Sequence, residues 1–175
     1  MTIVKKIIMA GSVISAFFLA SPAASACSLA KAPSHDALFS ADIIVRAIAN
    51  KYIKGPDPMI RTTGIPESLV EFEVDEILKG IDVPKTLILN AYLSTEDDYN
   101  DQKPPYTFVR PNGRSGSCYA NTYKQGASFL LFLKVTDGGY TSNISALGPT
   151  NEQLHDTDDP WLLWTREEIK KRGKK

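Results

Sequence analysis
The sequence predicts a mainly β protein: a small closed or partly open barrel of five antiparallel strands, followed by a C-terminal helix. Three features carry that expectation. Short runs of alternating or β-branched residues recur along the chain, with turn formers between them. Asp137-Gly138-Gly139 is a hairpin signal between the last two runs. Beyond Thr150 the pattern gives way to a polar stretch, and Asp159-Pro160 then opens a helix.

The chain begins with an export signal. Lys5 and Lys6 form a basic start, and Ile7 to Ala20 is an apolar run too short for a membrane span, which needs roughly 20 apolar residues. Ala24-Ser25-Ala26 is the small-residue tripeptide that signal peptidase accepts. Cleavage after Ala26 therefore leaves Cys27 as the first residue, with a free α-amino group. The expected product is secreted or periplasmic, with no membrane span. Removing residues 1–26 of the 175 leaves 149, enough for one domain with its own core. That product carries 18 basic and 20 acidic residues, a net charge of −2. Such a balance argues against nucleic acid, whose binding needs clustered Lys and Arg. The one basic cluster, Lys170-Lys171-Arg172-Gly173-Lys174-Lys175, reads as a solvated helix end.

The strands follow in order. In Ala41 to Ala49, Ile44, Arg46 and Ile48 share one face and Ile43, Val45, Ala47 and Ala49 the other, which predicts a long first strand. Gly55 to Pro66 is full of turn formers and predicts a loop. From Leu69 to Leu78, Val70, Phe72 and Val74 alternate with Glu71, Glu73 and Asp75, a half-buried strand with a wet acidic face. Thr86 to Tyr92 supplies a third strand. Residues 94 to 117 carry Pro104-Pro105, Pro111-Asn112-Gly113 and four acids without periodicity, and long loops of this kind are often functional. Gly126 to Val135 is the most apolar run and predicts a core strand, and Tyr140 to Leu147 returns alongside it. In the helix, Trp161, Leu162, Trp164 and Ile169 are spaced to dock one face on the strands.

Little in the residues suits an enzyme. His35 and His155 are the only histidines; they are far apart and read as surface residues. A nucleophilic Cys118 would require Cys27 to be unpaired. Glu96-Asp97-Asp98-Tyr99-Asn100-Asp101 lacks the ligand pattern of a calcium loop and reads as a solvated loop. Asn143-Ile144-Ser145 matches a glycosylation acceptor but falls in an expected strand. The expectation is a monomer with no cofactor and no metal of its own.

Cys27 and Cys118 are the only cysteines. In an oxidising compartment two such residues most simply pair, and closing a loop of about 90 residues stabilises the fold by up to ~4–5 kcal/mol in the chain-entropy model. The competing reading is a lipoprotein in which Cys27 is acylated and Cys118 stands alone. Ala24 occupies the position where such signals usually carry Leu.

Taken together, the pieces resemble the N-terminal OB-fold domain of the tissue inhibitors of metalloproteinases and the related netrin-like modules. The likeness runs through Cys27-Ser28, Asp42-Ile43-Ile44-Val45-Arg46-Ala47, the strand ending in Lys79-Gly80, Ser117-Cys118-Tyr119, and Gly126-Ala127-Ser128-Phe129-Leu130-Leu131. It covers roughly residues 27–155, with a helix and basic tail over 156–175. The resemblance implies that the α-amino nitrogen and carbonyl oxygen of Cys27 chelate the catalytic zinc of a metalloendopeptidase. It also implies that Ser28 points toward the specificity pocket and that a Cys27–Cys118 bridge lashes this edge to the loop bearing Ser117 and Tyr119. The family's third-position cysteine is Leu29 here, so one bridge is missing. The alternative is an exported netrin-like binding module, possibly lipid-anchored, that inhibits nothing.

Overall fold
The computed structural model describes residues 35–59, 66–100, 102–105, 110–111, 121–142 and 151–174. The expected export signal, Cys27, Ser28, Ser117-Cys118-Tyr119, Asn143-Ile144-Ser145 and the side chain of His35 lie outside them. The elements in chain order are α1 (His35–Phe39), β1 (Ile43–Lys54), β2 (Leu69–Lys79), β3 (Thr86–Asn90), β4 (Tyr92–Ser94), β5 (Thr122–Lys124), β6 (Ser128–Thr136), β7 (Gly139–Ser142), β8 (Glu152–Gln153) and α2 (Pro160–Arg172).

The main sheet runs β3-β2-β1-β6-β7 with every neighbour antiparallel, and β8 pairs with the start of β6. β6 lies near the middle and is buried on both faces, which explains its unbroken apolar run. Phe129, Leu131 and Leu133 pack with Ile43, Val45, Ala47 and Ala49 of β1, Val70 and Phe72 of β2, and Leu87 and Leu89 of β3. On the opposite face, Leu130 and Phe132 meet Ile44 of β1, Leu38 and Phe39 of α1, and Trp161 and Leu162 of α2. One sheet thus separates two cores. The expected division of β1 into two faces shows in Ile43, Val45, Ala47 and Ala49 joining one core and Ile44 the other, and Arg46 pairs with Asp75 of β2 at 2.6 Å.

β1 and β2 shift register at four points along their ladder. Irregularities of this kind bend a strand and increase its twist. The outer strands β3 and β7 come within 8 Å, Cα to Cα. Among the described residues no ladder joins them, and no closed barrel is detected there. The β6–β7 hairpin sits where Asp137-Gly138-Gly139 predicts it, with Thr136 opposite Gly139. The only positive φ there belongs to Gly139, at 121°.

Local chemistry accounts for the ends of α2. Asp159 is the N-cap, its carboxylate accepting from the Trp161 backbone N at 2.8 Å, and Pro160 follows in the first turn, where a missing N–H costs nothing. Arg166 clamps the helix to β2 by donating from Nε and Nη2 to the two carboxylate oxygens of Glu76, at 3.1 and 2.7 Å.

The structure differs from expectation where pieces are short. The third strand breaks at Ala91, whose N donates to Ser68 O at 3.1 Å. The chain then switches partners, and Tyr92–Ser94 runs parallel to Thr122–Lys124. α1, β5 and β8 have two to five residues each, too few for a periodicity to show. β1 continues past Ala49 to Lys54 because its ladder with β2 extends to Leu69.

Candidate functional site
The described residues frame the stretch that holds Ser117, Cys118 and Tyr119 from both sides. Arg110 precedes it and Thr122 follows it, and Arg110 Nη1 donates to Thr122 O at 2.9 Å. One hydrogen bond therefore joins the described residues on either side of this segment. Arg110 is fully buried (0% exposed), and so is its partner Asp98 (2%). The guanidinium forms an ion pair with the Asp98 carboxylate, donates from Nε to Asn151 O at 2.7 Å, and lies over the rings of Tyr123 and Phe129, 5.0 and 5.5 Å from their centroids.

A buried cation is costly unless its donors are met, and here each partner comes from a different stretch of chain. Asp98 N donates to the Gln153 side-chain oxygen at 2.8 Å, and Asn151 Nδ2 donates to Tyr123 Oη at 2.6 Å. Burial pushes the Tyr123 hydroxyl pKa up, with the Arg110 charge acting against it. Next to Asp98, Asp97 accepts from Lys124 at 2.7 Å and from Gln153 at 2.6 Å. Chiefly the Lys124 bond, then the Gln153 bond, hold its carboxyl below the usual range. The stretch from Glu96 to Asp101 is therefore not simply a solvated loop, since two of its acids tie the long connection to β5 and β8.

Nothing in the sequence singles out Arg110, Asn151 or Gln153. The length of the connection from 94 to 117 was the only signal near them, and it could not say which residues turn inward.

Two cavities flank this cluster. One, of about 330 Å³, lies between residues 99–103 and the start of α2, lined by Tyr99, Asn100, Gln102, Lys103, His155, Asp159, Pro160 and Trp161. His155 is exposed, as expected, and its ring stacks on Tyr99 with centroids 3.7 Å apart and planes 18° from parallel. The other, about 520 Å³ and wide open, is lined by Tyr52, Leu93, Ser94, Thr95, Thr122 and Gln125 at the far end of β1. Tyr52 Oη accepts from Leu93 N there at 2.7 Å.

Among the described residues, no group of three or more His, Cys, Asp or Glu is arranged to hold a metal ion. No described helix is long and apolar enough to cross a membrane. The arrangement offers two recognition surfaces: an open polar groove and an aromatic cavity with a carboxylate in its wall. No protein-family model matches the chain, and no curated protein matches it.

Proposed function
We propose that the chain is an exported OB-fold protein of the netrin-like type that inhibits a zinc metalloendopeptidase through its mature N-terminus. The observation that carries this reading is the cleavage tripeptide Ala24-Ser25-Ala26 directly before Cys27-Ser28, in a chain whose one other cysteine is Cys118. The catalytic zinc of such a protease keeps an open coordination position. The α-amino nitrogen of Cys27 and its backbone carbonyl oxygen take that position and displace the bound water. An amine with a pKa near 8 deprotonates readily once a zinc ion is there to receive it. Ser28 enters the adjoining specificity pocket, and a Cys27–Cys118 bridge holds the edge against the loop of Ser117 and Tyr119. The strand order of the sheet and the hydrogen bond from Arg110 to Thr122, residues flanking that stretch, support the reading, because pre-ordering of the frame lowers the cost of binding.

The test is inhibition by purified protein beginning at Cys27, measured against a panel of zinc endopeptidases. Slowed hydrolysis that disappears when one alanine is added before Cys27 is the expected result, since the extra residue removes the chelating amine. Intact mass should show the loss of two thiol hydrogens and no added lipid. No slowing across the panel, or an acyl group on Cys27, overturns the inhibitor reading.

A further inference from the structure
We propose that the cavity between residues 99–103 and the start of α2 binds an organic cation of the alkylammonium class. This does not depend on the inhibitor reading. At about 330 Å³ the cavity falls at the lower end of the size range of small-ligand sites. Its walls combine aromatic surface with one buried carboxylate: the stacked pair Tyr99–His155, the edge of the buried Trp161, and Asp159, only 3% exposed. That is the composition that attracts a large, weakly hydrated cation, which gains from ring faces and from a nearby negative charge.

Asp159 accepts from the backbone N of Trp161 at 2.8 Å and of His155 at 3.0 Å. A carboxylate has about four acceptor directions, so two remain beyond these bonds, on a residue that lines the cavity. The exposed acids Asp156 and Asp158 lie in the chain between the lining residues His155 and Asp159, whereas Lys103 is the one lining residue with a fixed positive charge. The opposite wall is held in place rather than loose. Asp98, immediately before Tyr99, is anchored by Arg110 and Gln153, and Asn100 Nδ2 donates to Glu152 Oε1 at 3.3 Å.

The sign of the charge preference makes the proposal testable. The full mature protein is titrated with choline chloride while the indole N–H of Trp161 and the ring signals of Tyr99 and His155 are followed by NMR. Saturable shifts confined to these groups are expected. Asp159→Asn keeps one acceptor oxygen for the Trp161 N while removing the charge and the bond from His155 N, and should weaken choline about tenfold. Tyr99→Leu should weaken it about fivefold. Lys103→Ala should tighten it, because a competing cation is removed. A second arm uses phosphatidylcholine vesicles: co-sedimentation identifies a lipid headgroup as the source of the cation, and choline binding without co-sedimentation identifies a soluble one. No saturable shift, an unchanged affinity in Asp159→Asn, or weaker binding in Lys103→Ala overturns the proposal.

Discussion

Arg110 concentrates more of the structure on one side chain than any residue the sequence draws attention to. Its guanidinium joins the 94–100 connection through Asp98, β5 through Thr122 and the approach to β8 through Asn151. Removing one partner of a buried pair leaves the other charge stranded. Arg110→Ala should therefore cost about 3–5 kcal/mol of unfolding free energy, whereas the double replacement Asp98→Leu with Arg110→Met should cost far less. Urea denaturation of Asp98→Leu, Arg110→Met and the double variant checks this as a mutant cycle. A double variant as unstable as the sum of the singles would show that the two side chains do not act as a pair. The sequence gives no hint of the cluster, because an arginine between a valine and a proline in a long loop reads as ordinary surface. Only the convergence of distant segments makes it interior.

At the scale of elements, the strands that form the sheet announce themselves and the short pieces around it do not. β2 alternates as its residues say it must, with Val70 and Phe72 buried and Glu73 and Asp75 exposed. Legibility is greatest for α2, where cap, proline and docking face all act through neighbours in sequence. β6 is informative in another way. An unbroken apolar run shows that a strand is central but not what covers each face; here the second cover is α1 with α2. Phe132→Ala, on the helix-covered face, should cost about 3–5 kcal/mol, as a large core truncation does. Val135→Ser, four positions after Leu131 on the same face and 56% exposed, should stay within about 0.5 kcal/mol of wild type. Thermal or chemical denaturation of the two variants separates them, and equal losses would place both in the same environment.

For the whole molecule, two exposed carboxylates stitch distant parts together and give stability an acid limit. Asp42 accepts from the backbone N of Val135 at 3.0 Å and from Lys134 at 3.1 Å, joining the entry of β1 to the end of β6. The Val135 bond first, and Lys134 second, hold its pKa below the ordinary value, as Lys124 and Gln153 do for Asp97. A carboxyl with a depressed folded-state pKa adds stability that is fully present above its unfolded value and is lost as pH falls through the folded one. The melting temperature should therefore hold near neutrality and fall on acidification below about pH 4. The Asp42→Asn, Asp97→Asn double variant should be less stable at neutral pH and show a shallower acid limb, in melting curves recorded across pH. An acid limb identical to that of wild type would assign the effect to other groups. Because both acids are exposed, added salt should reduce the difference.

The sequence by itself determined the mainly antiparallel sheet, the central place of the apolar strand, the tight hairpin and the capped helix, because each rests on interactions between residues close together in the chain. It also supplies the observation that carries the inhibitor proposal, the cleavage tripeptide directly before Cys27. Only the tertiary structure decided that one sheet parts two cores, that β3 and β7 approach with no ladder between them among the described residues, and that Asp98 and Arg110 are sealed inside while Tyr99, His155 and Asp159 line a cavity. Those outcomes depend on which remote segments end up side by side. No local period or spacing carries that information.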